Sequence, residues 1–456
     1  MVQEKYITKE EAETAKNENL EFAKILQPIK APHFVLMIKD YLVKKYGENF
    51  LKEKGIKVYT TLNWNLQEIA EKAVKQGAET NKAFNANNAS LVALDPKTGQ
   101  ILALVGSKDY FADSYPENCI SGLNCRFEPK VNIALYGEGR QPGSAFKPIV
   151  YAQAFKNGLT PETILWDVKT NFNTGSGKDY IPQNYDGKFR GPISIKKSLA
   201  QSLNVPSVKV LYLAGINKTI KLAKNMGIKT LTKPTSWYGL SLVLGGGEVK
   251  LLDIVSSFGV FASNGLKTSP VSILKIQDYS GNIIEENKKT PKRILESQIT
   301  SMINSILSDN QARSPMFGLN SYLHIKGYEV AAKTGTTENF KDAWTIGYTP
   351  SIVTGVWVGN NDAEEMSEKP GVVLAGPIWK NFMKQALTYY PKENFLKPKP
   401  IITEKKILKG EVDLSNPHSI LYYIDKKNPL GPMPENPELD PQFKNWEKGI
   451  KEWLKS

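Results

Sequence analysis

The segment from residue 141 to 155 constrains the fold most, because its pattern is that of a helix buried on almost every side. Its sequence is QPGSAFKPIVYAQAF, with apolar residues around most of the helical circumference. Proline is tolerated only near a helix N-terminus, where its missing N–H removes no intrahelical bond, so Pro148 fixes the start of the helix. The pattern predicts that the helix begins at about Ser144, whose hydroxyl then lies at the positive end of the helix dipole.

Lys147 follows Ser144 at a spacing that allows serine catalysis without histidine. Residues i and i+3 of a helix share a face, so the amine of Lys147 can reach the Ser144 hydroxyl. Burial would lower the pKa of Lys147 and supply the neutral amine that a general base requires. The alternative interpretation is a capping serine beside an ordinary surface lysine.

Two further Ser-x-x-Lys matches, at Ser194 and Ser272, fit the chemistry less well. Ser272 lies in the alternating stretch SPVSILKIQ, which is typical of a strand, where residues i and i+3 point to opposite faces. Ser194 can cap a helix, but Lys196 and Lys197 predict that its turn is a solvated surface. We therefore select Ser144 as the candidate nucleophile.

Lys-Thr-Gly occurs twice, at Lys97 and Lys333. Lys97 lies in DPKTGQ, which turn chemistry alone explains as the centre of a hairpin. Lys333 follows the strand-like YEVAA and precedes Thr336 and Thr337, so its hydroxyl neighbours and backbone N–H groups can bind a peptide and its carboxylate. We select Lys333, with a plain strand-end lysine as the alternative.

Ser-x-Asn occurs at Ser202, Ser280 and Ser308. Ser202 and Asn204 lie in a predicted turn between helices, which can direct both side chains into a cleft. Ser280 lies in a hairpin turn, and the literal Ser-Asp-Asn at Ser308 is interpreted as the frayed end of a helix. We select Ser202 and Asn204.

The order of elements predicts an α/β fold. Strand patterns flank a mainly helical stretch from about residue 140 to 265, which indicates one antiparallel sheet assembled from distant segments and covered by helices. Asn63 is well suited to cap the helix that follows it. The chain beyond about residue 395 is rich in proline, and we expect it to pack loosely.

The net charge of +13 does not indicate nucleic-acid binding. The lysines are scattered, with no long basic run and no recognisable reader motif, so we expect no nucleic-acid partner. A positive surface near an anionic cell envelope explains the charge better.

Cys119 and Cys125 suit a small disulfide-closed loop, with two unpaired surface thiols as the alternative. A disulfide would indicate an extracytoplasmic setting. Neither these thiols nor the three histidines have partners at metal or triad spacing, so we expect no metal, no cofactor and no serine–histidine mechanism. No apolar stretch reaches the ~18 residues of a membrane span. The charged start is typical of the middle of a longer protein, so we expect a membrane anchor upstream in a full-length parent.

Sequence segments longer than these short motifs show a resemblance to a known protein family. The sequence resembles the transpeptidase domain of a class A penicillin-binding protein in RQPGSAFKP, PQNYDGKFRGPIS, LAQSLNVPSVKV, LVLGGGEVKLLDI, FASNG, AAKTGTT, KDAWTIGYTP and VWVGNND. The resemblance implies the serine β-lactamase/DD-transpeptidase-like fold, a mostly antiparallel sheet flanked by helices with an all-helical subdomain.

The opening EEAETAKNENLEF and APHFV resemble that family's junction with an upstream glycosyltransferase domain, which we expect to be absent. The expected divisions are a junction remnant at 1–50, a linker at 51–85, the penicillin-binding transpeptidase domain at 86–395 and a proline-rich tail at 396–456.

The resemblance also implies roles for the selected residues. Ser144 would attack the penultimate D-alanine carbonyl of a stem peptide, with Lys147 as base. Ser202 would relay a proton, and Asn204 would hold the peptide amide and Lys147. Lys333 would supply positive potential.

Substrate binding is implied for the strand that follows Lys333. Thr334 and Thr336 would bind the substrate carboxylate, with Gly335 between them, and the backbone N–H groups of Ser144 and Thr336 would form the oxyanion hole. The expected partners are peptidoglycan stem peptides ending in D-Ala-D-Ala and β-lactams, on the extracytoplasmic face of a bacterial membrane.

Three other functions remain open at this point. A DD-carboxypeptidase shares the acyl-enzyme and differs only in using water as the acceptor. A non-catalytic receptor or scaffold would be expected to lack a catalytic residue, and none is missing. A β-lactamase needs a glutamate that activates water, and no Glu-x-x-Leu-Asn-like segment follows Ser202.

Overall fold

A five-stranded antiparallel sheet forms the centre of the computed structural model, which describes residues 1–17, 29–173, 177–288 and 290–455. In chain order the strands are β1 (Lys57–Thr60), β2 (Asn88–Leu94), β3 (Ile101–Val105), β4 (Ile164–Asp167), β5 (Gly191–Ser194), β6 (Leu266–Lys267), β7 (Ile273–Gln277), β8 (Ile283–Glu286), β9 (Lys292–Arg293), β10 (Ala331–Thr336), β11 (Asp342–Tyr348) and β12 (Val353–Gly359). The central sheet has the order β10-β11-β12-β2-β3, so strands from two distant parts of the chain pair directly.

Helices precede, separate and follow these strands in the chain. In chain order they are α1 (Lys9–Asn17), α2 (Pro32–Tyr46), α3 (Glu48–Glu53), α4 (Trp64–Asn81), α5 (Lys147–Lys156), α6 (Ile195–Ala200), α7 (Asn204–Ala214), α8 (Ile216–Met226), α9 (Thr235–Tyr238), α10 (Leu251–Ala262), α11 (Ser297–Ser308), α12 (Asn310–Phe317), α13 (Gly371–Leu374), α14 (Gly376–Ala386), α15 (Lys406–Lys409), α16 (Ile420–Tyr423) and α17 (Phe443–Trp453).

The central sheet separates two apolar layers. Successive residues of β2 alternate between them: Leu91 and Ala93 pack with α4 and α14, whereas Val92 and Leu94 pack with the helices on the other face. Because both faces are covered, every residue of β2 is buried. The predicted α/β class, with an antiparallel sheet assembled from distant segments, is confirmed.

The smaller predicted features also appear. Asp95 accepts hydrogen bonds from the backbone N–H groups of Lys97 and Thr98, which closes the hairpin between β2 and β3. Asn63 caps α4 by accepting from the Leu66 N–H at 3.1 Å. Strands β7 and β8 form the second predicted hairpin and are joined by β1 in a three-stranded sheet.

The expectation of a loosely packed C-terminal segment is wrong. Helix α17 packs against the rest of the protein through Trp446 and Ile450, each 1% exposed. The Trp446 ring lies edge-on to the rings of Phe172 and Tyr212, at centroid distances of 6.3 and 5.6 Å. The proline-rich stretch before α17 obscured its apolar stripe in the sequence, although that stripe has helical spacing.

One envelope-related expectation has a structural counterpart. Cys119 and Cys125 form a disulfide, as one of the two interpretations of their spacing predicted. Within residues 1–17, 29–173, 177–288 and 290–455, none of the helices combines the length and the apolar character needed to cross a bilayer.

The packing of α17 generates a stability prediction. We expect Trp446→Ala to lower the free energy of unfolding by about 3–5 kcal/mol, because it removes a large buried ring and leaves a cavity. Chemical denaturation monitored by far-UV circular dichroism measures this change. Lys444→Ala is the matched control, since the Lys444 side chain is 77% exposed on the same helix. Equal stability of the two variants would show that α17 does not contribute to the folded core.

Candidate active site

Ser144 lies in a tight turn that leads into the buried helix. The turn is a 3₁₀ segment, Gly143–Phe146, and the α-helix itself begins at Lys147. The predicted helix start at Ser144 is therefore three residues early, although Pro148 occupies the first turn as expected. The reason is local: 3₁₀ turns are common at helix N-termini, and Gly143, at φ 54°, adopts the left-handed region before the turn.

The turn is pressed against β10 backbone to backbone. A Cβ added at Gly143 would collide with the carbonyl oxygen of Thr336, and one added at Gly335 would collide with the carbonyl oxygen of Pro142. Only glycine permits this approach. The two glycines thus bring the serine turn and the Lys-Thr-Gly strand together, as the motif assignment requires.

Lys147 is fully buried beneath this turn. Its Nζ donates hydrogen bonds to Ser202 O at 2.7 Å, Leu203 O at 3.0 Å and Asn204 Oδ1 at 2.8 Å. Burial lowers the pKa of Lys147 well below its ordinary value, and the positive charge of Lys333 lowers it further. The Ser144 hydroxyl is not among the hydrogen-bond partners of Lys147 within the described part of the chain.

These contacts suit an amine that exchanges a proton. Protonated, the ammonium has three N–H donors for its three acceptors. Neutral, the amine keeps two donors and gains a lone pair that can accept a proton from a nearby hydroxyl. Because burial lowers its pKa, Lys147 reaches the neutral form more readily than an ordinary lysine does.

Ser202 lies between the two lysines, in the turn that joins α6 to α7. Its φ of 59° is left-handed, which is uncommon for a residue other than glycine and marks a conformation imposed by its surroundings. The Ser202 carbonyl accepts from Lys147, and its Oγ accepts from Lys333 Nζ at 2.8 Å. Since Oγ accepts from Lys333, its own proton is available for donation.

Lys333 is buried on β10 and faces the Ser202 turn. Its Nζ also donates to the Thr334 carbonyl at 2.8 Å. Burial lowers the pKa of Lys333 to about 7. Two lysines that meet at one serine in a buried site thus both have depressed pKa values, an arrangement concentrated at functional sites.

Thr334, Gly335 and Thr336 occupy the C-terminal half of β10, which is an edge strand of the central sheet. The Thr336 Oγ1 accepts a hydrogen bond from the Gly371 N–H at 2.8 Å, a contact that the sequence did not predict. This bond orients the hydroxyl and leaves its proton to be donated to a ligand.

The rejected motif copies occupy structural positions. Ser194 caps α6 by accepting from the Lys197 N–H, as predicted. Lys97 lies in its hairpin turn and pairs with Glu393. Ser308 is the last residue of α11, as predicted, but that end is not frayed, because Asp309 caps α12 by accepting from the Ala312 N–H at 2.9 Å.

Asn184 is a residue of the site that motif reasoning missed. Its Oδ1 accepts from the backbone N–H groups of Asn204 and Val205, at 2.8 and 3.3 Å. The neighbouring Gln183 carbonyl accepts from Asn204 Nδ2 at 2.8 Å. The phrase PQNYDGKFRGPIS contained the signal, but nothing in its pattern linked it to Asn204.

Comparison with known proteins assigns the chain to a family. The family model described as "Penicillin binding protein transpeptidase domain" matches residues 89–384. Penicillin-binding protein 1A of Aquifex aeolicus is 29% identical over 88% of this chain and 63% of its own length. Penicillin-binding protein 2D of Bacillus subtilis is 31% identical over 82% of this chain and 51% of its own length. The chain thus spans about half to two thirds of these curated relatives.

Solved structures show the same fold. Penicillin-binding protein 1A from Haemophilus influenzae superposes with a TM-score of 0.73 at 21% identity, over 92% of this chain and 79% of that one. PonA1 from Mycobacterium tuberculosis in complex with penicillin V superposes with a TM-score of 0.67 at 22% identity, over 82% of this chain and 97% of that one. Because the family model covers well over half of the sequence, the chain belongs to the family of penicillin-binding protein transpeptidase domains.

Proposed function

We propose that this chain is a peptidoglycan DD-transpeptidase that cross-links stem peptides through a serine acyl-enzyme and is inhibited by β-lactams. The observation that carries the proposal is the convergence of the Ser144 turn, the buried Lys147 and Lys333, and the Ser202–Asn204 turn between them. Each group has the chemistry that one step of acyl transfer needs.

Acylation begins with the Ser144 hydroxyl. Its oxygen attacks the penultimate D-alanine carbonyl while its proton moves to the neutral amine of Lys147. The backbone N–H groups of Ser144 and Thr336 bind the oxyanion that forms, a contribution of about 3 kcal/mol per donor. The close approach of the serine turn to β10 supports this pairing.

Collapse of the intermediate breaks the C–N bond to the terminal D-alanine. The proton held by Lys147 passes to that leaving amine through the hydroxyl of Ser202, whose carbonyl accepts from Lys147 and whose Oγ accepts from Lys333. The amine of a neighbouring stem peptide then attacks the ester carbon and forms a new amide as the ester C–O bond breaks. The proton that this amine loses passes through Ser202 and Lys147 to the Ser144 oxygen.

Recognition of the substrate carboxylate falls to β10. Protonated Lys333 supplies positive potential, and the hydroxyls of Thr334 and Thr336 donate hydrogen bonds. A β-lactam presents a strained amide and a carboxylate in the same relative positions, so it acylates Ser144 in place of the peptide. The relative PonA1, solved in complex with penicillin V, supports this part of the proposal.

Penicillin-binding proteins act on peptidoglycan outside the cytoplasmic membrane, and we place this chain there too. The Cys119–Cys125 disulfide supports the placement, because disulfides persist in oxidising compartments. We also propose that the chain represents the transpeptidase part of a class A protein, on the strength of its resemblance to that class in EEAETAKNENLEF and APHFV.

Covalent labelling tests the nucleophile. We expect Ser144→Ala to abolish labelling by a fluorescent penicillin, because no other hydroxyl lies at the N-terminus of the helix that carries Lys147. Fluorescence after denaturing gel electrophoresis measures the label. Ser308→Ala is the matched control, since it alters the literal Ser-Asp-Asn and should label fully. Retention of label by Ser144→Ala would contradict the proposal.

The depressed pKa of Lys333 predicts a pH dependence. Lys333 is protonated below its pKa of about 7, so carboxylate binding weakens as the pH rises through that value. We expect the second-order acylation rate constant, which reports the free enzyme, to fall on the basic side for a penicillin that carries its carboxylate. Stopped-flow fluorescence between pH 5 and 10 measures it.

A penicillin methyl ester is the control for this profile. It has no carboxylate, so its acylation should lack the decline attributed to Lys333. If acid and ester decline together, the titrating group acts on another step, and the role proposed for Lys333 is wrong.

A further inference from the structure

The N-terminus of α7 is capped from another segment of the chain. The first N–H groups of a helix have no partner within it, and a side chain at the preceding position usually accepts from them. That position is Leu203, whose side chain has no polar group. Instead the Asn184 Oδ1 accepts from the N–H groups of Asn204 and Val205.

The side chain of Asn204 is fixed by the same segment. Its Nδ2 donates to the Gln183 carbonyl at 2.8 Å, and its Oδ1 accepts from Lys147 Nζ at 2.8 Å. A carboxamide has one donor end and one acceptor end, so the bond to Gln183 decides that the acceptor faces the lysine. Residues 183 and 184 therefore hold both the backbone and the side chain of Asn204.

Asp167 in turn orients Asn184. Both carboxylate oxygens of Asp167 lie 2.9 Å from Asn184 Nδ2, which also donates to the Lys188 carbonyl at 2.8 Å. Asp167 is the last residue of β4 and is fully buried. Its carboxylate also accepts a hydrogen bond from the backbone N–H of Arg190 at 3.1 Å. Because an ionised carboxylate only accepts, it holds the NH₂ end of Asn184 towards β4 and the carbonyl end towards α7.

We propose that Asn184, oriented by Asp167, is a positioning residue for acyl transfer, a role that rests on the function proposed above. It touches none of the reacting atoms. It fixes the position at which Asn204 accepts from the Lys147 amine. Because it caps α7, it also fixes the position of the Ser202 turn relative to the two lysines. A displacement of about 1 Å at such a site can cost on the order of 10²-fold in rate.

Exchanging the two side chains tests the proposal. Asn184→Asp keeps the acceptor for α7 but places a second carboxylate against Asp167. We expect it to lower the limiting acylation rate by about 10²-fold. The double variant Asp167→Asn/Asn184→Asp keeps one carboxylate and one amide, with the donor now on residue 167. We expect it to recover most of the lost rate.

The limiting rate is separated from binding by the concentration dependence of stopped-flow acylation with a fluorescent penicillin. Measurements are made well below each thermal midpoint, so that only folded protein is compared. Gln67→Leu is the matched control, because Gln67 is a buried amide bonded to the Leu104 backbone at the opposite edge of the sheet. It should lower the thermal midpoint and leave the limiting rate unchanged.

Hydrogen exchange gives a readout that does not depend on acylation. We expect the Asn204 and Val205 amides to exchange faster in Asn184→Leu than in the wild type. Wild-type acylation rates in folded Asn184→Asp, or recovery of stability without recovery of rate in the exchanged pair, would overturn the positioning role alone. Failure of the wild type to acylate at Ser144 would overturn the proposed function together with this role.

Discussion

The active-site geometry depends on one buried amine. Lys147 has no solvent to stabilise its charge, so its contacts with the Ser202–Asn204 turn must serve both the charged and the neutral form. Those contacts fix the turn between α6 and α7 beneath the serine turn, while Lys333 contacts the same turn from β10. The three sequence motifs thus meet at the Ser202 turn, which both lysines contact.

The remainder of the fold holds these elements in place. The central sheet carries β10, and glycines at 143 and 335 let the serine turn lie directly on it. The C-terminal helix α17 packs against α7 and so supports the helix that follows the Ser202 turn. Lys209 of α7 donates to the Trp166 carbonyl and lies 5.1 Å from the centre of the Trp446 ring. Trp166 precedes Asp167, so α17 packs behind the strand end that orients Asn184.

Local chemistry was sufficient to predict much of this arrangement from the sequence. Proline at 148 located the buried helix, and strand geometry, turn chemistry and surface charge chose among the repeated motifs. The predicted start of α5 was three residues early. The residue pattern does not distinguish a 3₁₀ turn from an α-helical turn, and here backbone packing determines which of them forms. Asn184 was missed because its partners, Asn204 and Asp167, are about twenty residues away in each direction. The packing of α17 was missed because the prediction followed the proline-rich composition of the preceding segment. The apolar residues at helical spacing within α17 were overlooked.

The most direct test of the account is the protonation state of Lys147 in the free protein. Nuclear magnetic resonance of protein with ¹³C-labelled lysine, assigned with a Lys147→Met variant, follows this side chain as the pH changes. We expect Lys147 to titrate well below an ordinary lysine, because burial lowers its pKa and favours the neutral amine that serves as the base. Titration at the ordinary lysine value would contradict it, because a protonated amine cannot accept the proton of Ser144.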